Sequence, residues 1–99
     1  MHVQIKTTRF NADSKLLYHV RRQVNKLPDL EERITSIDIY LKLDNIAHQI
    51  KDKEAGIRVH VPHHEFFAHH QSKSFEQSFD LAFDSLVSQI KRQKEKNGN

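Results

Sequence analysis

Apolar and polar residues alternate from the start of the chain. Val3, Ile5 and Thr7 interleave with Gln4, Lys6 and Thr8, the two-residue period of a strand with one buried face. Asn11 to Ser14 interrupt that alternation with capping chemistry. Asp13 is the best N-cap of the group, because its carboxylate accepts the free amides of a first helical turn. Leu16, Leu17, Val20, Val24 and Leu27 then recur at helical spacing, and Pro28 is expected to close that helix. At about 100° per residue these positions share one face, while Lys15, His19, Arg22 and Lys26 form a narrow stripe on the opposite one.

A polar turn over Asp29 to Arg33 precedes the segment ITSIDIYLKLDN, in which Ile37, Ile39, Leu41 and Leu43 alternate with Asp38, Tyr40 and Lys42. The polar stretch from Asn45 to Gly56 reads as the loop between paired strands and as the most mobile part of the body. Ile57, Val59 and Val61 mark a third strand that ends at Pro62. A fourth covers His64 to Gln71, where the adjacent Phe66 and Phe67 leave the buried face undecided and one ring partly exposed. Ser74 is the N-cap of a last helix on which Phe75, Phe79, Ala82, Phe83, Leu86, Val87 and Ile90 repeat at three and four residues. Its first half carries Glu76, Asp80 and Asp84 and its end carries Lys91, Arg92, Lys94 and Lys96, a polarity that suits the helix dipole.

The predicted order is β-α-β-β-β-α. A helix between the first two strands makes them parallel, and the later strands can meander antiparallel. Each strand has one apolar face and each helix one apolar stripe. The expected architecture is therefore a two-layer α+β sandwich, a four-stranded sheet with both helices on one face. Composition bounds this reading without altering it. With 99 residues, 36% hydrophobic and 29% charged, the chain suits one small globular domain, residues 1–96, with a frayed tail at 97–99.

Several chemistries are excluded or weakened. Without cysteine there is no disulfide, thiolate metal site or cysteine nucleophile. The two glycines argue against a glycine-rich phosphate loop. No apolar run has the length of a membrane span, and MHVQIKTTRF lacks a signal-peptide core, so a soluble cytoplasmic protein is expected. His60, His63, His64, His69 and His70 invite a metal reading. Neighbours on a strand point to opposite faces, however, so the pairs His63–His64 and His69–His70 cannot both converge as ligands. Asp80 and Asp84 share a helix face as solvated charges, and no serine stands in a nucleophile-elbow context. Neither a catalytic residue, a metal nor a cofactor is expected.

The basic positions differ in kind. Sixteen Lys and Arg against thirteen Asp and Glu give a net charge of only +3, which matters only if the charge is clustered. Lys15, Arg22 and Lys26 have no acidic residue within their stripe, and Lys91 to Lys96 has only Glu95 interleaved. Helices side by side on one sheet would join the two clusters into one positive surface, which reads phosphates rather than bases. Charge alone leaves two readings open: RNA binding, or a protein-interaction module using an exposed sheet edge and the aromatics Tyr40 and Phe66.

From Val3 to about Lys96 the chain resembles a short ribosome hibernation-promoting factor, a group that also contains the ribosome-associated translation inhibitors. The resemblance rests on the opening strand VQIKT, the helix ending VNKLPDLEERI, the strand IYLKLD and the last helix FDLAFDSLVSQIKRQKEK, in that order and spacing. It implies a fold similar to double-stranded RNA-binding domains. It also implies docking on the small ribosomal subunit, in the mRNA channel over the tRNA decoding sites, with translation blocked in starvation or stationary phase. Lys26 and Arg33 match the family's basic positions around the first helix, and Lys42 the lysine of its central strand. Gln89, Arg92, Lys94 and Lys96 match the polar and basic end of the last helix, and Asp80 the final acid of the D-x-Y-x-A-I-D stretch. That stretch here reads SFEQSFD, with Glu76 in place of tyrosine. Ser85 and Ser88 stand where relatives carry lysine and arginine, and PHHEFF replaces glycines between the third and fourth strands. With Lys15, Arg22 and Lys91 from the charge pattern, these residues form the expected RNA-binding set. The implied partner is the small subunit's rRNA and proteins, with no membrane and no small-molecule substrate. Longer relatives carry a second domain that dimerises ribosomes; by that analogy this chain would either need a separate dimerisation factor or simply hold single ribosomes inactive.

Overall fold

The computed structural model describes residues 1–44 and 51–96. Strand β1 (His2–Thr8) leads through α1 (Ser14–Val24) and a short α2 (Leu27–Leu30) to β2 (Ser36–Leu43). Strands β3 (Lys53–Val61) and β4 (His64–Ser72) follow, then α3 (Phe75–Lys96). The sheet order is β1-β2-β3-β4, with β1 parallel to β2 and the remaining pairs antiparallel. The expected two-layer α+β architecture is therefore the one found.

The core follows from the alternation. Ile37, Ile39 and Leu41 of β2, Ile57 and Val59 of β3, and Phe66 and Ala68 of β4 meet Leu16, Val20 and Val24 of α1 and Phe79, Ala82, Leu86 and Ile90 of α3 in one cluster. Register decides between the two adjacent phenylalanines. Phe66 pairs with the inward Val59 and is 4% exposed, whereas Phe67 pairs with Arg58 on the open face. Phe66 is thus buried and cannot serve a protein-interaction surface as expected. Tyr40 and Phe67 form the open-face aromatic pair, ring centroids 6.4 Å apart, with the Arg58 guanidinium 4.5 Å above Phe67. Gly56 is required beneath this pair, since a Cβ there would lie 2.0 Å from Tyr40 Cε1.

Asp13 caps α1 as expected, its carboxylate accepting from the Leu16 amide at 2.8 Å. Pro28 does not close that helix. α1 ends at Val24 with Asn25 as its C-cap, and Pro28 lies in the first turn of α2, where its missing N–H would have had no helical partner. The loop expected over Asn45 to Gly56 is also shorter, because Lys53 to Gly56 already pair with Leu43 to Tyr40. The mobility expected of residues 45–50 and the fraying expected of 97–99 lie outside the described residues.

The start of α3 is fixed by serines. Ser74 Oγ accepts from the Gln77 amide at 3.1 Å, completing the expected cap. The fully buried Ser78 hydroxyl lies 2.7 Å from Ser72 Oγ and 2.9 Å from the Ser74 carbonyl, and it also reaches the Lys53 carbonyl. This knot joins the first turn of α3 to the ends of β3 and β4.

Candidate nucleic-acid interface

The two long helices run side by side in the same direction. Phe10, ahead of α1, stacks on Phe75 at the start of α3, centroids 4.0 Å apart. Midway, His19 Nε2 lies 2.6 Å from Asp80 Oδ1. At the far end, Lys94 of α3 donates to the Leu30 carbonyl that closes α2. The carboxyl ends of the helices therefore meet at one end of the molecule, where unpaired carbonyls and the helix dipole favour cations. Arg22, Lys26, Arg33 and the Lys91–Lys96 run all lie toward that end.

The expected residues are not equivalent. Lys15, Arg22 and Lys26 are exposed and, among the described residues, make no ion pair. Lys15 stands at the opposite, amino end of α1, roughly 16 Å from the basic end at 1.5 Å per residue. His19 leaves the stripe altogether: it turns toward α3, edge-on to Phe79, and takes Asp80 as partner. The positive face of α1 is thus bordered by an acid that its own helix does not contain.

Arg33 is held by Glu31, a carboxylate only 3% exposed. Its Nη2 donates to Oε1 at 3.0 Å, its Nε to Oε2 at 3.3 Å and its backbone amide to Oε2 at 3.0 Å. The Arg33 hydrogen bond holds the Glu31 carboxyl below the usual carboxylate range, against the opposing effect of burial, and Lys94 adds to the lowering. The same hydrogen bond raises Arg33. A side-on pairing of this kind fixes the guanidinium plane and leaves its remaining N–H groups free for a phosphate.

Besides Lys15, two more expected residues do not join the cluster. Lys42 shares with Tyr40 the open face of the sheet, away from both helices. Gln89 donates its Nε2 to the Phe67 carbonyl at 2.8 Å, which occupies the amide and covers the free edge of β4. The α3 cations also diverge. Lys94 faces α2, whereas Arg92 and Lys96 line an open groove of about 720 Å³ that also holds Glu95, with His64, Phe66, Gln89 and Gln93. The single continuous surface expected from sequence is therefore two adjoining basic faces around the end of α3.

Sequence reasoning missed Tyr18 and Arg21, which stand with Arg22 on the exposed side of α1. The available signal was angular: Tyr18 lies almost directly opposite Leu16, Val20 and Val24, at the centre of the solvent face. The histidines do not converge. His60 lies between Asp38 and Glu65, at 3.0 and 3.2 Å, and His69 lies 3.5 Å from Glu54. Among the described residues, no group of three or more histidine or acidic side chains is arranged to hold a metal ion. No helix among them is long and apolar enough to cross a membrane.

A family model described as "Sigma 54 modulation protein / S30EA ribosomal protein" matches residues 3–97. Among solved structures, a ribosomal subunit interface protein from Coxiella burnetii is similar with a TM-score of 0.82 and 19% identity, over 96% of this chain and 99% of that one. The N-terminal domain of Protein Y from Thermus thermophilus is similar with a TM-score of 0.78 and 18% identity, over 93% of this chain and 98% of that one. No curated protein is significantly similar to the chain in sequence. At these identities the structural likeness is one of fold.

Proposed function

This chain belongs to the family of sigma 54 modulation proteins and S30EA ribosomal proteins, and from that premise we propose that it is a ribosome hibernation factor of the cytoplasm. It binds the small ribosomal subunit at the mRNA channel and tRNA decoding sites and inhibits translation in starvation or stationary phase. Residues 1–96 act as one ribosome-binding domain. The observation that carries the reading is the family match across residues 3–97. The meeting of both helix carboxyl ends supports it, because Arg22, Lys26, Arg33, Lys91 and Lys94 there supply cations suited to rRNA phosphates. The action is steric occupancy rather than turnover.

A reconstituted translation reaction tests the mechanism. The protein is expected to inhibit at stoichiometric rather than catalytic ratios to ribosomes, and pre-bound mRNA with initiator tRNA should protect. Inhibition that is indifferent to pre-bound mRNA and tRNA would contradict occupancy of the decoding region.

A further inference from the structure

Tyr18 is 67% exposed in the middle of α1, on the side opposite the buried Leu16, Val20 and Val24. One turn further along stand Arg21 and Arg22, and two turns along stands Asn25. The four line a shallow open dent on the solvent side of α1. Both arginines are exposed, and neither makes an ion pair among the described residues. They close the last turn of α1, so this dent adjoins the basic end described above.

We propose that Tyr18, Arg21, Arg22 and Asn25 form a site for one unpaired RNA nucleotide, its base stacked on the Tyr18 ring and its flanking phosphates held by the two guanidiniums. The chemistry selects this occupant. A planar ring with free access offers a stacking surface to any base, and two unpaired guanidinium forks match phosphate oxygens. A duplex keeps its base faces inside the stack, so the ring discriminates for single strand where lysines alone would not. Asn25 adds an amide that can donate to or accept from a base edge. The inference rests on the ribosome-binding reading and sharpens it: the helix ends grip phosphates without regard to structure, whereas this dent requires an unstacked base.

The chain contains no tryptophan, so Tyr18→Trp places a lone reporter in the dent. A short single-stranded RNA, titrated at low salt, should quench that fluorescence saturably, and the same RNA as a duplex should not. Tyr18→Ala should weaken binding to the single strand and to small ribosomal subunits by about fivefold to a hundredfold, the range that one stacked base supplies. It should leave the salt dependence unchanged, and Tyr18→Phe should bind like the parent. Arg21→Ala or Arg22→Ala should reduce the salt slope by about 0.7 each. Unquenched fluorescence of the Tyr18→Trp protein at saturating RNA, or a Tyr18→Ala protein that binds single strand like the parent, would overturn the site. So would a Tyr18→Ala protein that loses subunits while neither it nor the parent responds to single strand, which would assign the tyrosine to a protein partner. If Tyr18→Ala is silent while Arg22 and Lys26 reversal abolishes subunit binding, the nucleotide site falls and the ribosome reading stands. Tyr18-dependent single-strand binding without any binding to subunits gives the converse.

Discussion

Glu31 is the one charged side chain among the described residues that is buried, and its carboxylate faces the Arg33 guanidinium and amide, with Lys94 on the neighbouring helix close by. A buried carboxylate is tolerated only when it is paired and hydrogen-bonded. Here the pairing also orients a cation at the proposed RNA-binding end. Glu31→Gln should therefore destabilise the fold by about 1–3 kcal/mol, as expected when a buried hydrogen-bonded group loses its match. Because the folded carboxyl titrates below its unfolded value, its stabilisation is complete above about pH 4.3 and is lost as pH falls through the lowered folded value. Denaturant titrations from pH 7 to pH 3 should show a shallower acid-side loss in Glu31→Gln than in the parent. Identical acid profiles would contradict the role given to this carboxylate. The spacing of Glu31 and Arg33 is visible in the sequence. Their pairing is not, because nothing local marks a glutamate in a polar turn as buried.

At the scale of elements, periodicity located β2, where a sheet covered on one face alternates buried and open positions, but it missed the start of β3, where Ala55, Gly56 and Ile57 are buried in succession. It failed where neighbours decide. Phe66 and Phe67 could not be assigned until the pairing with Val59 and Arg58 was known. α1 stopped short of Pro28 because the two residues after Val24 form a turn before α2 begins. Ser78 was equally illegible: it occupies an inward position of α3 as a small polar residue, and only the meeting of β3, β4 and α3 supplies its partners. Ser78→Ala should cost about 1 kcal/mol by stranding the partners of a buried hydroxyl, and Ser78→Leu should cost more by overpacking a fully buried site. Thermal unfolding would check both. A Ser78→Leu protein as stable as the parent would mean that the start of α3 is not locked in place.

For the whole molecule, a net charge of +3 conceals the arrangement that matters. Three of the four acids of α3 lie in its first half, with Asp80 held by His19, while the carboxyl ends of both long helices collect cations with only Glu95 among them. The basic residues were legible as a list, whereas their division was not. Lys42 faces the other side of the sheet and Gln89 is bonded to β4, facts that depend on the packing of distant segments. Association through about six phosphate contacts implies that log K falls with log salt at a slope of about −4 to −5. The most direct test is co-sedimentation with purified small ribosomal subunits across a salt series, with the Arg22→Glu/Lys26→Glu protein as comparison. Saturable one-to-one pelleting with that slope is expected, abolished by the double reversal while the circular dichroism spectrum stays unchanged. Unsaturable pelleting that vanishes with slight salt, or saturable pelleting retained by the double reversal, would contradict that expectation.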